Sequence, residues 1–279
     1  MENKHFLYNG NLHPSNNKHT AMIIVTGSDG GHTWANEIAE TFASQGITCY
    51  SISYWKDKNL PHTLSLIPLE IIKDASIYLK DQGYEKIGIY GISKGAELAL
   101  VSASCFSEIE FVIAVSPACL VFEGIRKPRY SNTSSWTLND QPLPYASFQD
   151  VDVNMFKNIF KYHEFGFRKQ YIEVLEKNKC EENTIKVENI NGPILLLSAK
   201  NDAQWCSEIM SDHIIKRLKE KCFPFFYKHE NYEIASHILC PVDTFSKKVY
   251  KVERKFPLEC EYSRKRAFEE TLNFLKEHI

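Results

Sequence analysis

A run of isoleucines that passes through Gly91-Ile92-Ser93-Lys94-Gly95 and straight into Ala96-Glu97-Leu98-Ala99-Leu100 leaves few folds open. Strand, Gly-x-Ser-x-Gly turn, helix is the order that a nucleophile elbow requires. The serine sits on a sharp, strained turn, and Gly91 and Gly95 leave room for strand and helix to approach. Ser93 Oγ is then held clear of the backbone, with the Lys94 N–H at the helix start aimed at a reacting oxygen. A bare Gly-x-Ser-x-Gly arises often by chance, and a serine that merely caps a helix is the competing reading. The strand-to-helix setting and the partners downstream give the motif its weight.

The rest of the chain alternates in the same way. Residues 22–25 read as a buried strand, followed by the loop Gly27-Ser28-Asp29-Gly30-Gly31 and a helix over about 33–44. A strand over 48–53 and a helix over 69–81, with Ile72, Ala75 and Leu79 inward, precede the strand at 87–90. Another strand at 111–115 ends at Pro117. From about 118 to 191 the rhythm breaks at Pro128, Pro142, Pro144 and the polar run Ser131-Asn132-Thr133-Ser134-Ser135, with one helix near 164–177. This is too long for an ordinary connection and reads as an insertion beside the site, part cap and part excursion. The alternation resumes with a strand at 193–199, a helix around 207–221 and a strand near 223–227. A last amphipathic helix runs from about 264 to the end, with Phe268, Leu272 and Leu275 inward. The expectation is one α/β domain over 1–279, a mostly parallel sheet with helices on both faces.

Composition narrows the function. A hydrophobic content of 43% and a charged content of 24% suit a soluble globular protein, and the formal net charge of -2 offers no attraction to nucleic acid or an anionic membrane. The N-terminal residues Met1 to Tyr8 have no apolar core of a signal peptide, so a cytoplasmic location is expected. The eight cysteines, Cys49, Cys105, Cys119, Cys180, Cys206, Cys222, Cys240 and Cys260, are scattered without zinc spacing and read as reduced thiols. Neither a metal motif nor a P-loop is visible. The glycine loop lacks the order of a dinucleotide site, so no cofactor is expected.

An α/β-hydrolase fold, with the insertion after its sixth strand, needs an acid after a late strand and a histidine before the last helix. Asp202 follows the 193–199 strand and fits the first place; a plain turn residue after Asn201 is its alternative. His237, ahead of the terminal helix, fits the second, while His229 falls near a strand end and His213 and Asp212 within a helix. His237 would take the Ser93 proton and later activate water, with Asp202 holding its tautomer. The oxyanion would be held by the backbone N–H of Lys94 and one from the glycine loop, Ser28 first and Asp29 second. His32 could line the mouth of the pocket, although a solvated histidine fits equally well. Lys247, Lys248, Lys251, Arg254 and Lys255, interrupted by Glu253, could attract a phosphorylated handle but read more simply as a solvated face.

With these residues in place, the chain resembles the C-terminal catalytic domain of the acyl-CoA thioesterase and bile acid-CoA:amino acid N-acyltransferase family, a dienelactone-hydrolase-like branch of the α/β-hydrolases. The resemblance runs from roughly Ala21 onward and is most specific at Gly91-Ile92-Ser93-Lys94-Gly95-Ala96-Glu97-Leu98. Further echoes are Ser53-Tyr54-Trp55 with Leu60-Pro61, Leu69-Glu70, Ser134-Ser135 with Leu143-Pro144, Asn201-Asp202 with Trp205 and Ser207-Glu208, and Ser236-His237. It implies a thioester acyl donor, an acyl-enzyme, and release to water or to an amino-acid amine. It also implies Tyr54 and Trp205 as substrate-lining residues. Amidating members use cysteine and hydrolysing members serine, so Ser93 sides with the hydrolases. Three departures stand out. Eukaryotic members carry an N-terminal β-sandwich, where about twenty residues precede the first core strand in this sequence. Ser236 replaces the glycine before the histidine. Ser28-Asp29 replaces small apolar residues, so the Asp29 side chain is expected to point away from the oxyanion hole. The expectation is a serine hydrolase of a small-molecule acyl thioester or ester. Acyl transfer to an amine or alcohol, or a non-catalytic binding protein of the same fold, are the alternatives.

Overall fold

The apolar runs become the centre of a seven-stranded sheet in the computed structural model of the chain, which describes residues 7–126, 129–153, 159–160, 166–242 and 248–279. In chain order, β1 (Asn9–His13), β2 (Thr20–Val25), α1 (Thr33–Ala43), β3 (Thr48–Ser53), β4 (Ile67–Pro68), α2 (Glu70–Asp81), β5 (Lys86–Ile92), α3 (Lys94–Cys105) and β6 (Val112–Val115) form the first part. The insertion carries β7 (Glu123–Arg126), β8 (Arg129–Ser134), β9 (Trp136–Leu138), β10 (Gln141–Pro142) and α4 (Arg168–Asn178). β11 (Ile194–Ala199), α5 (Ser207–Glu220), β12 (Tyr227–Tyr232), α6 (Lys251–Lys255) and α7 (Pro257–His278) complete the chain.

The strand order is β1-β3-β2-β5-β6-β11-β12, parallel throughout except for β1, which runs antiparallel to β3. Alternation along β2 sends Ile23 and Val25 into a core with α2, α3 and α5, and Met22 and Ile24 into a second core with α1 and α7. Burial on both faces is why these strands read as unbroken apolar runs.

The sheet's edges and the chain's end depart from the expected pattern. β1 was not anticipated, because Asn-Gly-Asn-Leu-His has no apolar period; it holds on through its ladder to β3 and through His13 Nε2 to Ser51 Oγ, 3.1 Å. β12 begins where the strand near 223–227 was expected to end. Phe223 packs into the core and Phe226 stacks on His278 at 3.7 Å, so the aromatics serve packing rather than the ladder. α7 begins at Pro257, well before 264, with the proline in the first turn where its missing N–H costs nothing. Its buried stripe is Cys260, Ser263, Arg264, Ala267, Thr271 and Phe274, with Phe268, Leu272 and Leu275 on the flank. In the basic stretch Lys248, Lys251, Arg254 and Lys255 are exposed and Glu253 is buried; Lys247 lies outside the described residues.

The insertion lies between β6 and β11, with β7 paired to β8 and β9 set between β10 and β4. Its expected helix appears as α4; the start of the expected span, at 164–165, and Pro128 lie outside the described residues. Two buried carboxylates organise it. Glu97 on α3 accepts from Lys94 Nζ at 2.7 Å, the Phe122 N–H at 2.9 Å and Trp136 Nε1 at 2.8 Å. Glu123 accepts from the Asn132 N–H at 2.5 Å, Ser147 Oγ at 3.1 Å and the Phe148 N–H at 2.8 Å. Burial pushes the Glu97 carboxyl up and the Lys94 ammonium down, each opposed by the other's charge. Around them Phe122, Trp136, Phe148 and Tyr171 join the same apolar cluster as the sheet.

Candidate active site

β5 ends at Ile92, and Ser93 turns the chain into α3 with φ 59° and ψ −125°. A serine held there costs of order 1–3 kcal/mol, which the surrounding packing must offset. The glycines of the elbow are explained by contact. A Cβ on Gly91 would lie 2.2 Å from Gly95 O, and one on Gly95 would lie 2.6 Å from the carbonyls of Val25 and Thr26. The glycine loop after β2 touches the same turn, since a Cβ on Gly27 would come within 2.9 Å of Lys94 N and 3.0 Å of Ser93 Cβ.

The glycine loop and the start of α3 therefore meet beside Ser93. Lys94 is the first residue of α3, where an N–H has no intrahelical acceptor. In the glycine loop, the Asp29 carboxylate accepts from Thr26 Oγ1 at 3.0 Å and is also stabilised by the Gly27 and Asp29 N–H groups. Burial pushes the Asp29 carboxyl up, the hydrogen bonds and Lys56 pulling against it.

Asp202 lies beyond β11, after Asn201 in the left-handed region at φ 57°, a conformation asparagine tolerates. Its carboxylate accepts from the Gln204 N–H at 2.9 Å, Ser207 Oγ at 2.7 Å and His237 Nδ1 at 2.7 Å. Both His237 and Asp202 are buried, and His237 Nε2 has no hydrogen-bond partner among the described residues. With Nδ1 donating to Asp202, Nε2 is left as the free basic nitrogen of the ring. Ser93 and His237 hang from consecutive residues at the end of β6. The Ser93 N–H donates to Val115 O at 2.9 Å, and Ser116 Oγ donates to His237 O at 2.8 Å.

The other candidates serve the scaffold. The Tyr54 hydroxyl donates to Thr26 O at 2.7 Å, and Trp205 Nε1 donates to Ser116 O at 3.1 Å with its ring edge-on to His237 at 5.6 Å. Both rings are buried and spend their polar atoms on backbone carbonyls beneath the site. His32 binds Asn9 O through Nε2 at 2.7 Å and Asp57 through Nδ1 at 2.9 Å, which leaves no ring nitrogen for a substrate.

A second Ser-His-Asp set tests the assignment. Ser198 Oγ lies 2.7 Å from His229 Nε2, and His229 Nδ1 lies 3.4 Å from Asp212. Ser198 is wholly buried inside β11 rather than at the head of a helix, so it offers neither access nor an anion site. None of the eight cysteines forms a disulfide among the described residues, and burial pushes the Cys119 and Cys206 thiols up to about 12, far from a reactive thiolate.

Several supporting residues escaped the sequence reading. Ser116 joins β6, Trp205 and His237; Arg168 on α4 pairs with Glu208 and donates to Asp202 O at 3.2 Å. Ser207, with Glu208 part of the family echo, gives its hydroxyl to the acid. Only that echo flagged any of them.

Comparison with known proteins bears on the family and the fold. The chain is 27% identical over 198 residues to acyl-coenzyme A thioesterase 1 of Mus musculus, a match covering 67% of this chain and 43% of that protein. The chain thus spans less than half the length of such relatives. Among solved structures it resembles one described as a dienelactone hydrolase from Klebsiella pneumoniae, with TM-score 0.57, 11% identity and coverage of 97% and 99% of the two chains. It also resembles the α/β hydrolase GrgF of a Penicillium species, with TM-score 0.54, 16% identity and coverage of 96% and 93%. These likenesses establish the α/β-hydrolase fold. Residues 67–253 match the family described as BAAT / Acyl-CoA thioester hydrolase C terminal, and the chain belongs to that family.

Proposed function

We propose that the chain is a serine hydrolase that cleaves an acyl thioester of the acyl-CoA type, with carboxylic esters as second substrates. The carrying observation is the 2.7 Å bond from His237 Nδ1 to Asp202, with Nε2 buried and unpartnered and with Ser93 and His237 tied to the adjacent residues Val115 and Ser116. Ser93 Oγ attacks the thioester carbonyl carbon while its proton passes to His237 Nε2. The carbonyl oxygen becomes an oxyanion between the N–H groups of Lys94 and Ser28, each such donor contributing about 2–4 kcal/mol to the transition state. The tetrahedral intermediate collapses, the C–S bond breaks, and the imidazolium returns its proton to the departing sulfur. Water then gives a proton to Nε2, attacks the acyl-enzyme and releases the carboxylic acid, and Ser93 recovers its hydrogen. Asp202 keeps the ring in the tautomer with Nε2 free and stabilises the cation in both halves.

Membership of the family, and a serine rather than a cysteine at the elbow, support water as the acceptor. Residues 1–279 are taken as one catalytic unit with the insertion as its cap, because one apolar cluster spans both. No helix among the described residues is long and apolar enough to cross a membrane. We place the enzyme in the cytoplasm, acting on a small-molecule acyl substrate without a cofactor. The test is hydrolysis of acyl-CoA thioesters and p-nitrophenyl esters of graded chain length, with Ser93→Ala as control. Turnover that vanishes in the variant is expected. An inactive wild type in which a fluorophosphonate fails to label Ser93 would overturn the reading in favour of a binding protein of this fold.

A further inference from the structure

Beyond the triad itself, we propose that Ser236, Glu253 and Arg264 form a buried clamp that positions His237, so that the C-terminal helices set the place of the base. The proposal rests on the reading of His237 as the general base. Ser236 is 2% exposed and donates through Oγ to Glu253 Oε1 at 2.6 Å. Arg264 Nη1 donates to the same oxygen at 2.6 Å, and Ser236 Oγ accepts the Ile238 N–H at 3.2 Å. Glu253 and Arg264 are 6% and 8% exposed, so this is a charged pair withdrawn from water and not a surface contact. Ser263 Oγ, beside Arg264 on α7, fixes the same loop at Ile234 O, 2.7 Å. From the opposite side Ser116 Oγ holds the His237 carbonyl. The peptide group after His237, the Ser236 side chain before it and the Ile234 carbonyl are therefore held from the end of β6, from α6 and from α7.

The clamp accounts for two oddities of the sequence. Glu253 interrupts a run of cations because, of the charged residues of α6, it alone is buried. Ser236 is present because its hydroxyl is the link between the loop and the ion pair; a glycine there would have none. An ion pair costs desolvation on burial and is weak support for stability by itself, so its use is more readily found in fixing one conformation. Here that conformation is the one in which Nδ1 meets Asp202 and Nε2 is left without a partner. The three residues act through His237 and are positioning residues.

Ser236→Ala separates positioning from simple stabilisation. The expected result is a fall in kcat of about tenfold or more, in line with what small misplacements of a reacting group cost, with KM unchanged. The rate of fluorophosphonate labelling at Ser93 falls by the same factor. The low-field proton resonance of His237 Nδ1–H weakens through faster exchange, and Ser236→Thr restores both. Glu253→Gln, which keeps the shape and an acceptor, moves the same readouts in the same direction by less. Wild-type kcat and an unchanged low-field resonance in both Ser236→Ala and Glu253→Gln would overturn the clamp. The resonance is read without turnover. A wild type that fails to label Ser93 but shows the resonance, lost in Ser236→Ala, sinks the hydrolase reading and keeps the clamp.

Discussion

Every residue of β11, and every residue of β2 after Thr20, is buried among apolar neighbours, and these strands find their places through hydrocarbon packing and ladder bonds. The insertion buries Phe122, Trp136 and Tyr171 just as deeply, yet its path is set by Glu97 and Glu123, two carboxylates that collect backbone and side-chain donors from distant points of the chain. An apolar core of the right volume accepts many substitutions, whereas a buried ionic staple stripped of one partner leaves an uncompensated charge. On our reading the chemistry sits on the first region and its cover hangs from the second, and α3 belongs to both: Ser93 turns into it, Lys94 is its first residue and Glu97 lies one turn in.

Ser93→Ala gives the largest effect and acts on the sheet edge alone. It is expected to lower kcat/KM by about 10⁴-fold or more, with the urea midpoint unchanged or raised. Retention of a tenth of the wild-type rate would put the nucleophile elsewhere. Glu97→Ala attacks the join. It strands the Lys94 ammonium in the interior and should cost about 3–5 kcal/mol in urea unfolding. A loss below about 1 kcal/mol, the range of an exposed pair, would erase the distinction between the two regions. Trp136→Phe is gentler: it keeps a large ring but leaves one Glu97 lone pair unsatisfied, at about 1–3 kcal/mol.

The smallest effect concerns pH. Burial raises the Asp29 carboxyl above its ordinary 3.8, so its neutral form favours the folded state. That contribution is complete below the unfolded value and is lost as pH rises through the folded one. Asp29→Asn, always neutral, should therefore be the more stable protein at pH 7, and the gap should close as pH falls towards 3.8. A gap that widens on acidification would mean that the carboxylate is favoured in the fold and would reverse the sign of this argument.

How much of this was readable in advance follows the same division. The elbow was legible because Gly91, Ser93 and Gly95 answer to local geometry: two close approaches and a positive φ at fixed spacing. Asp202 and His237 could be named because each follows a recognisable element, although their 2.7 Å bond joins residues 35 apart. β1 and β12 were missed or displaced because edge strands are held by ladders and polar contacts that leave no period in the sequence. Glu253 read as a break in a basic run and Ser236 as an exchanged glycine.

The sequence by itself determined the α/β alternation, the elbow and the order of the candidate triad, because burial on one face or both and turn strain are written within a few residues. Only the tertiary structure decided which carboxylates lie inside, where the insertion attaches, and that Tyr54, Trp205 and His32 spend polar atoms on backbone carbonyls. A buried polar group is stable only with partners in place, and those partners here come from residues dozens of positions away, such as Trp136 for Glu97 and Ser116 for His237.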